Sequence, residues 1–261
     1  MFVLRRLCFC LTLVPCVLAL AALRAAEPAI GVEQRCRQQL RRFAAETHLH
    51  GIDFVEAQRL LDFPGSIDVL LQMLEQAEPT TQLNAVILLG FAGDSRAFEP
   101  LKKFLETAPG QEPLARMAVF ARSYVPIAMG CILAQTKDEA TRREIFQYLR
   151  GGAQPEVWRD RLHWTGPYDG GERMDLGRST IRALGLSGYP EALVDLEWAK
   201  KHVTDHIQKA AEQRTSAKPA VGWQSLRPAE RIQLLHLIEE ALRTHETVSK
   251  SDLKTYYNSH R

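Results

Sequence analysis

The chain has 261 residues, 46% of them hydrophobic and 25% charged, the composition of a folded globular protein, which excludes broad disorder. Its 33 basic and 31 acidic side chains nearly cancel, and nothing in that balance provides the clustered Lys and Arg that a nucleic-acid surface needs. Five cysteines, of which only Cys36 and Cys131 lie beyond residue 16, are too few for a disulfide-built scaffold.

Arg5-Arg6 precede an apolar run over residues 7–23, and Ala21-Ala22 and Ala25-Ala26 stand before the first acid, Glu27. A positive start, an apolar middle and a small-residue end form the pattern of a secretory signal peptide. Residues 1–26 are therefore expected to direct export to a periplasmic or extracellular location, with cleavage between Ala21 and Ala26. The same 17-residue run is at the lower limit for spanning a bilayer, so an uncleaved membrane anchor is the alternative. Removing the segment takes away Arg5, Arg6 and Arg24 but no acid, leaving 30 basic against 31 acidic side chains. In an oxidising compartment Cys36 and Cys131 could bridge, although Cys131 lies on an apolar helix and reads first as a small buried hydrophobe.

Residues 32–47 are expected to form a polar helix with a narrow strip of Cys36, Leu40, Phe43 and Ala44, suited to cover the end of a stack. Residues 53–63 follow with Val55, Leu60 and Leu61, and Pro64-Gly65 stops them. Ser66 is then expected to cap a helix to residue 76, with Ile67, Leu70, Leu71 and Leu74 as its core stripe. Residues 83–105 read as an apolar helix, a sharp break and a second helix. Ala85, Leu88, Leu89 and Ala92 share one face, and Gly90 is small enough to let a neighbouring helix approach. Gly93 can close the first helix in the left-handed conformation, and Asp94 or Ser95 can cap the next. That second helix turns Ala97, Leu101, Phe104 and Leu105 inward. Neither helix can bury its stripe alone, so the pair requires neighbours of its own kind.

Ala85, Leu88-Leu89-Gly90, Gly93-Asp94, Arg96-Ala97 and Leu101 resemble the short HEAT-like repeat, the PBS-lyase type, found in many bacterial proteins. The resemblance implies an all-α fold: an α-solenoid of stacked helical hairpins forming an armadillo-type superhelix. The pattern recurs twice. Ala128 takes the place of Ala85, 43 residues on, and Ala140, Ile145, Tyr148 and Leu149 echo Ala97, Leu101, Phe104 and Leu105. Its break, Gln135-Thr136-Lys137-Asp138, lacks the glycine, so this copy is degenerate. Ala183-Leu184-Gly185 matches Leu88-Leu89-Gly90, 95 residues on, with Gly188, Ala192 and Leu196 matching Gly93, Ala97 and Leu101. These spacings fit helix-pair repeats of about 40–47 residues, the second widened by an insertion. Pro126 is expected to split the long helix of residues 114–133 near Tyr124, and residues 137–143 are expected to face solvent.

The insertion, residues 151–173, interrupts repeats expected over residues 27–214. Aromatics and arginines in a glycine-rich segment have the composition of a contact surface. Trp158, Arg159, Arg161, His163, Trp164 and Tyr168 are therefore the expected partner-binding residues; the alternative is that Trp158 and Trp164 plug a gap between repeats. A long helix over residues 193–214 loses its apolar character after Val203, and residues 215–222 form a linker. Pro228 opens an amphipathic helix, 229–243, with Ile232, Leu235, Ile238 and Leu242 at helical spacing, expected to close the stack. The tail from residue 249, with Leu253, Tyr256 and Tyr257, either frays or docks. Residues 215–261 are thus linker and capping helices.

No metal-protease, nucleophile-elbow, haem-attachment, phosphate-loop or dinucleotide motif occurs, and neither a cofactor nor a metal is expected. His48 and His50 lie near a helix end. His202 and His206, four apart beside Asp205, lack a third ligand and read as a surface pair. His163 with Asp169 and Glu172 is the best arrangement for orienting an imidazole as a general base, so a loop-built enzyme using His163 and Asp169 is the rival reading. The expected function is that of an exported, non-catalytic scaffold holding another protein on its concave face or through residues 151–173. A membrane-anchored structural subunit is a further alternative.

Overall fold

Two stretches, residues 79–92 and 125–135, are apolar on every side rather than along one stripe, and such helices are stable only when neighbours cover them all round. The fold is arranged around this pair. The computed structural model describes residues 31–48, 51–109, 115–162, 164, 171–212, 223 and 226–259; it is all-α, with no strand among the described residues. In chain order the helices are α1 (Val32–Ala45), α2 (Phe54–Leu61), α3 (Ser66–Gln76), α4 (Pro79–Ala92), α5 (Phe98–Glu106), α6 (Ala115–Ser123) and α7 (Val125–Gln135). They are followed by α8 (Glu139–Leu149), α9 (Pro155–Arg161), α10 (Gly171–Ser187), α11 (Ala192–Glu212), α12 (Pro228–Lys250) and α13 (Leu253–Ser259).

Local chemistry sets the boundaries. Pro79 opens α4 in the first turn, where its missing N–H is no loss, and Gly93 closes it at φ 66°, which a residue with a Cβ enters only at a cost. Asp94 then accepts the Arg96 backbone N–H at 2.9 Å, holding the 3-10 turn Ser95–Ala97. The Arg96 side chain, bonded to the same carboxylate, holds Asp94 below the usual carboxylate range. Ser66 does not cap: it is the first residue of α3, and Gly65 stands before it at φ 84°. At Pro126 the expected split occurs, with α6 ending at Ser123 and α7 starting at Val125. Asp138 caps α8 by accepting from Thr141 N at 2.8 Å. Arg142, expected in solvent, instead lays its guanidinium 4.9 Å from the Tyr189 ring centre.

Packing runs in series: α4 lies on α7, α7 on α10 and α10 on α12. Each contact is a close backbone approach. A Cβ added at Gly90 would stand 2.7 Å from Ala128 Cα, at Gly130 2.4 Å from Ala183 O, and at Gly185 2.7 Å from Ala241 O. No side chain fits those gaps, so glycine sets the helix spacing. Helix α5 packs on α7, α8 on α7 and α10, and α11 on α10 and α12. Leu89, Leu101, Met129, Ile132, Ile145, Leu149, Leu184 and Leu196 are fully buried in one continuous core.

The helix that begins at Pro228 is longer than expected and presents a different face. It buries Leu234, Ile238, Ala241, Thr244, His245 and Val248, while Ile232 is 48% exposed. Setting Ala241 against Gly185 and His245 Nε2 2.8 Å from Tyr189 O fixes that rotation. Because α12 lies on both α10 and α11, it continues the series rather than only covering its end. Cys36 and Cys131 are free, so the conceivable bridge is not formed. The expected signal segment, residues 1–26, and the expected linker, 215–222, lie outside the described residues.

Candidate protein-interaction face

The expected partner-binding residues divide sharply. Trp158, on α9, is fully buried, and its Nε1 donates to Gly152 O at 2.6 Å. Gly152 has no room for a Cβ, which would stand 2.9 Å from that indole. Arg161 places its guanidinium 5.3 Å from the ring centres of both Tyr148 and Trp158, and donates to the carbonyls of Tyr148 and Arg150. Trp164 is half-buried and donates from Nε1 to Leu105 O at 3.0 Å. Arg159 is exposed, its guanidinium 2.9 Å from Asp160. His163, Tyr168 and the rival catalytic residue Asp169 lie outside the described residues, and Glu172 sits in the first turn of α10. Burial places Trp158 with the alternative expectation, a plug between helices, while Arg161 and Trp164 are half-buried. Helix α9 packs on α10, with the Tyr148 ring of α8 edge-on to the Trp158 indole. Gly177 helps, admitting the Ala153 backbone to within 3.1 Å of where its Cβ would be.

A second aromatic cluster is assembled from distant parts of the chain. Tyr257 on α13 stacks on Phe54 of α2, ring centres 4.9 Å apart and planes 9° from parallel. It meets Phe91 of α4 edge-on at 5.3 Å, and Phe54 meets Phe91 at 5.0 Å. Leu253 is 2% exposed, and Tyr256 receives a hydrogen bond from Thr244 Oγ1 at 3.4 Å. Cys131 Sγ of α7 lies 4.0 Å from the Tyr257 hydroxyl. Burial pushes the Cys131 thiol up to about 12, and burial, with that thiol beside it, pushes the Tyr257 phenol up as well. Both groups stay neutral and unreactive at physiological pH. Helix α13 thus leaves the end of α12 and crosses back over α7 to α2, against the order of the stack.

Clefts flank this crossing on both sides. One, of about 280 Å³, is walled by Tyr124, Ile127, Arg182, Leu186, Leu237 and Tyr256 among others, none of its lining coming from α5, α8 or α11. Phe120, 45% exposed, extends the apolar wall, its ring 5.2 Å from Tyr124. The other, of about 600 Å³, includes Gln58, Arg59, Asp62, Asp94, Arg96 and Lys254. Aromatic walls with scattered charges of both signs match a polypeptide, whereas a polyanion requires a single-sign surface.

The histidines engage neighbouring backbone. His48 Nε2 is 2.9 Å from Phe43 O; His50 lies outside the described residues. The His202 ring stacks on Trp198 at 3.8 Å and its Nδ1 is 3.0 Å from Trp198 O. Among the described residues no three His, Cys, Asp or Glu side chains converge as a metal site would require. A smaller cleft of about 240 Å³ lies at Arg150, Gly151, Gln154, Asp195 and Trp198. There burial pushes the Asp195 carboxyl up against the opposing pull of Arg150, 4.0 Å away. Compared with family models, with curated proteins and with solved structures, the chain matches none.

Sequence reasoning missed Gly130, Phe54 and Phe91. Gly130 lies in a helix whose following break lacks glycine, so no neighbouring turn signal marks it as a close approach. The spacing of Leu253, Tyr256 and Tyr257 was visible, but not the distant surface that receives them.

Proposed function

We propose that this chain is an exported, non-catalytic HEAT-like repeat protein, an α-solenoid that holds a partner protein on the face of α4, α7, α10 and α12 crossed by α13. The observation that carries the reading is the serial packing of those four helices through Gly90, Gly130 and Gly185, since repeats that each touch only their neighbours build extended binding faces. The cleft of about 280 Å³ on that face, with aromatic walls and both Arg182 and Glu240 in its lining, favours a polypeptide ligand over nucleic acid. Export rests on Arg5-Arg6 and the apolar run behind them.

The test uses the full chain. Mass spectrometry of the mature protein should find its first residue between 22 and 27; retention of Met1 would turn the reading toward a membrane anchor. Partners captured from the envelope fraction should be recovered by wild type and by a Val194→Ala variant on α11, and lost by the Phe120→Ala, Arg182→Ala double variant. Equal recovery by all three removes this face as the binding surface.

A further inference from the structure

We infer that the groove beneath α13 recognises an amphipathic helical segment of a partner protein, one presenting a leucine-sized side chain followed three and four residues later by aromatics, and that α13 is its built-in occupant. This rests on the scaffold reading above and specifies its partner and its gate. Three observations support it. Leu253, Tyr256 and Tyr257 are the i, i+3 and i+4 anchors by which an apolar helix face seats in a groove, and they are the residues of α13 that reach the aromatic cluster or the core. The occupant is shorter than its site: seven residues cover about 10 Å, while clefts of about 600 and 280 Å³ continue on either side. A longer helix with the same anchors would fill more of the groove than α13 does. Finally, the contacts are between side chains. The stack is held by backbone approaches at glycine that admit nothing larger, whereas Tyr257 meets Phe54 and Phe91 ring to ring, and among the described glycines none draws α13 into such an approach.

Only Ser251 and Asp252 separate α13 from α12. So short a tether gives the tail an effective concentration on the order of millimolar or higher at its own groove. A partner in trans must exceed that, so the tail sets a threshold for binding.

The experiment compares full-length wild type with a Leu253→Asp variant, in which the tail loses its buried anchor and every residue that α2, α4, α7, α10 and α12 contribute to the groove is unchanged. A fluorescein-labelled peptide of residues 250–259 is the probe. It should bind the variant at least about 10-fold more tightly than wild type, and a peptide carrying Tyr257→Ala should bind neither. Equal binding to both chains, or none to the variant at about 1 mM peptide, overturns the inference. Alkylation of Cys131, located by mass spectrometry, reports release of the tail because that thiol lies under Tyr257. It should rise about 10-fold or more in the variant with Cys36 unchanged; no rise makes α13 a fixed strut and also overturns it. A wild-type dimer dissolved by the peptide would make a second copy the occupant and overturn the assignment to a partner protein. Capture of the same partner equally by wild type and Leu253→Asp would leave the scaffold reading standing while defeating this one. Peptide binding without any captured partner would do the reverse.

Discussion

Trp158 and Tyr257 are both aromatic residues on seven-residue helices, α9 and α13. The Trp158 indole finds its contacts within ten residues of itself, at Gly152 and Tyr148. The Tyr257 ring finds its contacts at Phe54, Phe91 and Cys131, each more than one hundred residues away. Closing a short loop costs little entropy and can precede the rest of the fold, whereas the distant cluster exists only once the stack is assembled. The first segment is therefore a plug, held by its own turn and by the helices it fits between. The second is a strap, whose docking requires the distant helices to be in place and whose release, on the inference above, leaves them in place.

The largest expected effect tests the plug. Trp158→Ala empties a fully buried site and should lower global stability by about 3–5 kcal/mol, read as a shift of the denaturant midpoint followed by circular dichroism. A loss below about 1 kcal/mol would place α9 outside the cooperative core and erase the contrast with α13. Tyr257→Ala should cost about 2 kcal/mol, because its ring is only half-buried. That loss should appear in amide exchange of α13 and leave exchange in α7 and α10 unchanged. A global shift as large as that of Trp158→Ala would make the strap part of the core. Arg161→Lys should cost about 1 kcal/mol. An ammonium on a flexible stem cannot reproduce the planar fork that reaches both the Tyr148 and Arg150 carbonyls while lying over two rings. A denaturant midpoint equal to wild type would show that the plug needs only its indole.

How legible each region was follows from the same distinction. Gly93 and Asp94 could be read directly, because a left-handed closure and a cap are demands met within four residues. Gly90 could be read as a close approach, although which helix approached could not. Trp158 was ambiguous: tryptophan and arginine among glycines describe a contact surface and a gap filler equally well, and only the small residues Gly152 and Gly177, admitting ring and backbone, decide for the interior. The face that α12 buries is rotated from the expected stripe, keeping Ile238 but leaving Ile232 exposed, because Ala241 faces Gly185 on another helix. Phe54 and Phe91 carry no local mark at all, since they become a site only when Tyr257 arrives.

Acid should separate strap from plug by the smallest of these effects. Asp252 Oδ1 accepts the Thr255 backbone N–H at 2.6 Å, and that bond, with the Thr255 hydroxyl behind it, lowers the Asp252 carboxyl below its usual value. A carboxylate lowered on folding stabilises above its unfolded pKa, near about 4, and the contribution is lost as pH falls through the folded value beneath it. Protection of α13 should accordingly be level from neutrality to about pH 5 and decline below about pH 4, by no more than about 1 kcal/mol for a cap this exposed. The hydrogen bonds of Trp158 and Arg161 go to carbonyls, and the Asp160 carboxylate within α9 is exposed beside Arg159, so exchange in α9, corrected for its intrinsic rate, should change less than in α13 across the same range. Asp252→Asn keeps an acceptor and should remove the pH dependence, while Asp252→Ala should loosen α13 at every pH. If α9 and α13 lose protection together, the tail does not open separately from the stack, and the distinction between plug and strap fails.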